Sequence, residues 1–328
     1  MTHIAIIGEC MIELNGSPFG DMHQSYGGDT LNAAIYLNRS AAVSNPVSMS
    51  SNSSNSSTAN PVIRTSYVTA LGSDAISQEI LNRWQDEGLS TEFVLIDEQR
   101  SPGLYLIQLD DVGERTFLYW RNDSAARYMV QHPDFDKIAN RLHDVDMVFL
   151  SGISLAILPH SDQLKLLTII EGLRERGVTI AFDSNYRPKL WESESATKEC
   201  YRLGYQTTDI ALVTFDDEQQ LWGDQTPQDT IDRLHRLGVQ TIIVKLGAEG
   251  CLVSETPAQT PSLIETTPVE TVVDSTSAGD SFNGGFLSCY LSGGSVQQAC
   301  RKGNALARLV IQHHGAIIPK PITDTLSN

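Results

Sequence analysis

The chain is short of positive charge. It carries 23 lysines and arginines against 40 aspartates and glutamates in 328 residues, a formal net charge of −17. Such a surface repels nucleic acid and acidic membranes, so neither is an expected partner. An anionic small molecule would need a local basic pocket, which makes individual arginines informative. Long apolar runs are also missing, and no stretch approaches the roughly 20 residues of a spanning helix. The N-terminus leads straight into a short strand, with no basic stretch followed by an apolar one. Cysteine is sparse: Cys10, Cys200, Cys251, Cys289 and Cys300 are scattered, odd in number and free of CxxC or Cys/His metal spacing. Buried free thiols are the expected state. These absences together point to a reducing cytoplasm.

What is present is a large apolar fraction, 41% of residues, enough for one big α/β domain or two. Strand-like runs at His3–Ile7, Ser66–Ala70, Met147–Leu150, Thr179–Phe182, Ile210–Thr214 and Thr241–Lys245 alternate with helix-like runs. The helices fall at Asp29–Arg39, Asp74–Glu87, Gln163–Arg176, Gln228–Leu237 and Val296–Gln312. Strands apolar throughout and joined by helical crossovers predict a parallel sheet covered on both faces, with ligands at the carboxyl ends of its strands.

Two segments break this rhythm. Residues 9–26 and 93–123 are strand-rich without intervening helices, and Asp110-Asp111-Val112-Gly113 reads as a hairpin turn between Leu104–Leu109 and Arg115–Trp120. They are expected to form a small β lid over the mouth of the larger sheet. An exposed lid edge would offer a second copy of the chain a place to pair. Residues 41–61 are Ser/Asn-rich and too polar to pack, and are expected to be a mobile surface insertion.

The most informative stretch is Asp274-Ser-Thr-Ser-Ala-Gly-Asp280. Apolar Phe282, Phe286, Leu287, Tyr290 and Leu291 follow at helical spacing, and Gly293-Gly294 ends the run. A helix start has free N–H groups and the positive end of the macrodipole, and small residues let a phosphate approach. A carboxylate at that spot repels an anion. It makes sense if Asp280 takes a proton from a hydroxyl that attacks the phosphate, although an ordinary acidic helix start reads the same way locally.

The segment resembles the C-terminal D-T-x-x-A-G-D signature of the ribokinase-like (PfkB) carbohydrate kinases. Tyr26-Gly-Gly-Asp-Thr-Leu-Asn32 resembles their N-terminal Gly-Gly signature. Further stretches are similar to the bacterial 2-keto-3-deoxygluconate kinases of that family, among them Gly8-Glu-Cys-Met-Ile-Glu-Leu14, Gly113-Glu-Arg-Thr-Phe-Leu-Tyr-Trp-Arg121 and Asn185-Tyr-Arg-Pro-Lys-Leu-Trp191. The resemblance implies a single kinase domain over residues 1–328, with a central mostly parallel α/β sheet and a small β lid. It implies ATP-dependent phosphorylation of a sugar acid to its 6-phosphate. Asp280 matches the catalytic base, and the backbone N–H groups of Ser277, Ala278, Gly279 and Asp280 match the anion hole.

The same resemblance places Gly27, Gly28, Asp29 and Asn32 against the sugar. Tyr105, Tyr119, Arg121 and Arg187 match positions that contact the keto-deoxy acid. A neutral sugar needs no cation, whereas a carboxylate is recognised by paired guanidinium N–H bonds. Lys245, Gly247 and Gly250 resemble the loop beside the nucleotide phosphates, and Asn304 a position near adenine. Mg²⁺ is expected on charge grounds, with Asp217 or Glu218 standing where relatives carry a metal-associated Glu. Relatives often respond to K⁺, and Asp274 lies where such a site begins, although Ser275 departs from the usual Thr. A kinase for another sugar (fructose, ribose or nucleoside type) and a catalytically silent sugar-binding regulator on the same fold remain the alternatives.

Overall fold

Alternation along each strand decides which layer its side chains join. In a computed structural model, residues 1–17, 19–43, 62–109 and 115–327 are described. The strands are Thr2–Ile7 (β1), Met11–Gly16 (β2), Met22–Gly27 (β3), Ile63–Gly72 (β4), Val94–Asp97 (β5), Gly103–Leu109 (β6), Arg115–Trp120 (β7), Met147–Ser151 (β8), Thr179–Asp183 (β9), Ile210–Thr214 (β10), Thr241–Lys245 (β11), Cys251–Ser254 (β12) and Ser262–Ile264 (β13). Nine of them form one sheet in the order β13-β12-β11-β10-β9-β8-β1-β4-β5, all parallel except β12, which pairs antiparallel with both β11 and β13.

Ala5, Ile7, Ile180, Phe182, Ala211, Val213, Ile242 and Val244 face one buried layer. Ile4, Ile6, Ala181, Ile210, Leu212 and Ile243 face the other. The first layer is closed by helices His160–Glu175, Glu194–Gln206 and Pro227–Arg236, the second by Asp29–Val43, Ala278–Leu291 and Val296–Val310. Each fully buried aliphatic side chain contributes about 1.5–3 kcal/mol, so these two layers, rather than strand propensity, hold the sheet.

The remaining strands form the lid, in the order β3-β2-β6-β7. Met11, Tyr105 and Ile107 make a small buried cluster on one of its faces. At its β7 edge Leu118 and Trp120 are exposed. The sheet class and the lid agree with the sequence reading, and two details do not. Val94–Asp97 leaves the expected lid segment 93–123 and pairs with β4 at the edge of the large sheet. Its Leu95 joins the first core layer, a burial the lid does not offer. Residues 41–43 belong to the Asp29–Val43 helix rather than to the polar insertion. The rest of that insertion and the Asp110–Gly113 turn lie outside the described residues. Among the described residues no helix is long and apolar enough to cross a membrane.

Candidate active site

The Ala278–Leu291 helix starts from a strained residue. Ser277 has φ +69, a left-handed conformation uncommon outside glycine, and its hydroxyl donates to Asp280 Oδ2 at 2.9 Å. Asn32 Nδ2 donates to the same oxygen at 2.8 Å. Asp280 Oδ1 accepts no hydrogen bond among the described residues. Burial, and next the neighbouring Asp29 carboxylate, push Asp280 up to about 7. The helix start thus holds a carboxylate with one bound and one free oxygen, poised near neutrality. Of the expected anion hole, the Ala278 N–H turns back to Ser275 O at 3.2 Å. Gly279 and Asp280 carry first-turn N–H groups that a helix cannot satisfy internally.

Asn32 reaches Asp280 because two helices touch. A Cβ on Gly284 would stand 2.7 Å from Ala33 O and from Tyr36 Cβ, so only glycine allows the Asp29–Val43 helix this close. Gly28 is similarly crowded, with Glu9 O at 2.0 Å from where its Cβ would be. The Gly27-Gly28 turn therefore packs backbone on backbone and leads into Asp29. Asp29 Oδ2 accepts from Ser151 Oγ at 2.5 Å and from Asn185 Nδ2 at 2.7 Å. Burial raises the Asp29 carboxyl too. Asn185 has φ +33, a second strained residue at the same place.

Under the helix start lies a ring of three side chains from three elements. Lys245 Nζ donates to Asp183 Oδ1 at 3.0 Å and to Asn283 Oδ1 at 3.3 Å, and Asn283 Nδ2 donates to Asp183 Oδ2 at 2.8 Å. Lys245 Nζ is 3.6 Å from the position a Cβ on Gly279 would take. The lysine therefore sits beside the start of the Ala278–Leu291 helix as well as at the head of its own loop. That loop turns through Gly247 and Gly250, at φ +57 and +100.

The residues expected to meet the sugar acid divide. The Arg121 side chain is only 9% exposed, and its Nη2 donates to Glu9, which also accepts from Ser124 Oγ at 2.6 Å. Among the described residues its buried Nε has no partner. Arg187 is half exposed, donates to Tyr186 O at 2.8 Å and lies 3.8 Å from Asp217. Tyr105 is buried and Tyr119 exposed, their rings 5.9 Å apart.

Two placements depart from expectation. Glu218 turns into the core, where Tyr205 and Arg233 occupy its two oxygens, so of the acidic pair only Asp217 stays with the site. Asp217 accepts from Ser184 Oγ and Tyr186 N, both at 3.1 Å, and burial followed by Asp183 raises its carboxyl. Asn304 is buried and donates to Ile264 O at 3.1 Å, which ties its helix to β13. Asp274 accepts from the Thr276 and Gly315 N–H groups at 3.0 Å each and so joins two loops.

Sequence reasoning missed Asp183, Asn283, Ser151, Asn185 and Glu9. Four of them stand at or just after a strand's carboxyl end, the place where such sheets collect ligands, and that position was the available signal. For Mg²⁺ the donor set is thin. No cluster of three or more His, Cys, Asp or Glu suits a metal among the described residues. Asp183 and Asp217 fit an ion held mainly by phosphate oxygens and water, as Mg²⁺ usually is beside nucleotides.

The chain is similar to known proteins in sequence and in fold. The description "pfkB family carbohydrate kinase" matches residues 1–323. A 2-dehydro-3-deoxygluconokinase from Haemophilus influenzae is 53% identical over 98% of this chain and 96% of its own length. One from Dickeya dadantii is 44% identical, covering 97% of each. Among solved structures, a putative ribokinase II from E. coli in complex with ATP and Mg²⁺ superposes with TM-score 0.78 at 20% identity, covering 99% of this chain and 98% of that one, a likeness of fold.

Proposed function

Since the chain belongs to the pfkB family of carbohydrate kinases and is a sugar kinase, we propose that it transfers the terminal phosphate of ATP to 2-dehydro-3-deoxygluconate (2-keto-3-deoxygluconate), giving the 6-phosphate. The observation that carries the reading is the free Oδ1 of Asp280, raised toward neutrality at a helix start that attracts phosphate.

In this reading Asp280 Oδ1 takes the proton of the sugar's terminal hydroxyl. The hydroxyl oxygen forms the new bond to phosphorus while the bond to the leaving diphosphate oxygen breaks. Asn32 and Ser277 hold the other oxygen still, so the base needs no reorientation. First-turn N–H groups of Gly279 and Asp280, with Lys245 below them, stabilise charge on the phosphoryl oxygens. Magnesium, when bound, neutralises phosphate charge, and Asp217 with Asp183 would hold it through oxygen or water. Arg121 and Arg187 are assigned to the carboxylate, an otherwise costly use of cations in so acidic a protein. Gly27, Gly28, Asp29 and Tyr119 are assigned to the sugar, and the Gly247–Gly250 loop to the nucleotide.

Coupled ATP turnover with 2-dehydro-3-deoxygluconate, gluconate, fructose and ribose tests this. The keto-deoxy acid should lead by at least about a hundredfold in kcat/KM. Arg187→Ala should raise KM for the acid roughly tenfold and leave KM for ATP in place. A higher kcat/KM for fructose or ribose overturns the substrate.

A further inference from the structure

Strand pairing on the lid lines up a transverse row. Glu13 of β2 stands opposite Ser25 of β3 and Tyr105 of β6, and Tyr105 stands opposite Tyr119 of β7. Residues directly opposite one another project from the same face, so the row crosses the whole lid on one side. That side opens on a cavity of about 690 Å³ whose walls include Glu13, Tyr105, Phe117, Ser275, Thr276 and His314.

Within the row Glu13 accepts from both neighbours. Ser25 Oγ donates to Oε1 at 2.9 Å, and the Tyr105 hydroxyl donates to Oε2. A phenol has a single proton to give. With that proton on Glu13, Tyr105 offers a ligand only oxygen lone pairs. Its hydroxyl lies 3.2 Å from where a Cβ on Gly27 would stand, so those lone pairs adjoin the Gly27-Gly28 turn assigned to the sugar. An acceptor of this kind binds a sugar hydroxyl and disfavours a carboxylate.

We propose that Glu13 is a positioning residue that makes Tyr105 an obligate acceptor, so that Tyr105 selects a hydroxyl of the sugar acid and leaves its carboxylate to Arg121 and Arg187. Burial and the adjacent Glu13 carboxylate hold the phenol in its protonated form, so the arrangement persists across the working pH range. The inference rests on the sugar-acid reading above.

The test compares wild type, Glu13→Met, Tyr105→Phe and the double variant for KM of the sugar acid and of ATP. Met keeps the length of the side chain and removes the acceptor, which frees the tyrosine proton. Each single change should raise KM for the sugar about tenfold, the worth of one hydrogen bond. The double variant should match Tyr105→Phe, because Glu13 acts only through Tyr105. A KM for ATP that rises in step, full additivity in the double variant, or a wild-type sugar KM in Glu13→Met overturns the proposal. If Glu13→Met does not fold, Glu13→Leu serves, since it too leaves the phenol no acceptor. A sugar KM several-fold above wild type is expected there, and an unchanged one overturns the proposal. Wild-type turnover separates the two readings. Preference for a neutral sugar ends the sugar-acid reading and with it this one. Turnover of the acid with unaffected variants ends only the role of Glu13.

Discussion

Asp280 is held in a state a solvated carboxylate would avoid. Its raised value means that the folded protein keeps a proton that the unfolded chain has already lost between about pH 4 and pH 7. The group's contribution to stability therefore falls as pH rises through that window and stays low above it. Asp280→Asn removes the titration while Asn32 and Ser277 keep an oxygen to donate to. Thermal melts should find the variant as stable as wild type near pH 4 and a few kcal/mol more stable above about pH 7. Turnover should drop by about a hundredfold or more, since the proposed proton acceptor is gone. Wild-type kcat/KM should itself decline as pH falls below about 7. A variant with the wild-type pH profile would remove Asp280 from its role.

Helices set the geometry that single residues exploit. The Asp29–Val43 and Ala278–Leu291 helices meet where Gly284 lacks a side chain, and this contact carries Asn32 to Asp280. Gly284→Ala should cost about 1–3 kcal/mol through overpacking and lower turnover by more than the stability loss predicts, because it separates Asp280 from Asn32. Gly172, with nothing within 4 Å of its virtual Cβ, is the matched control. Gly172→Ala in the His160–Glu175 helix should gain about 0.5–1 kcal/mol with turnover unchanged. Urea titrations beside coupled assays read both effects. Equal losses of activity in the two variants would mean that the Gly284 contact does not set the site.

At the scale of the molecule, a net charge of −17 repels itself. Screening should raise the melting temperature by a few degrees between about 10 and 200 mM NaCl at pH 8. A flat response in scanning calorimetry would show that local ion pairs already offset the repulsion. The parallel sheet, the lid strands and the Asp280 turn were legible in the residues, because continuous apolar runs, helical spacing and glycine placement are local signals. Val94–Asp97 was misassigned because a four-residue strand fits either sheet, and only the burial of Leu95 chooses. Glu218 and Asp217 are neighbours with the same chemistry, and no local rule tells which one turns inward. The Asp183–Lys245–Asn283 ring and the Ser25–Glu13–Tyr105 row join residues far apart in the chain. The sequence by itself determined which groups were on hand: an aspartate at a helix start, glycines, two arginines and a lid. Tertiary structure decided which oxygen of Asp280 stays free, which arginine is the less exposed and where Glu13 sends the proton of Tyr105. Those outcomes depend on distances between separate elements, which no spacing along the chain encodes.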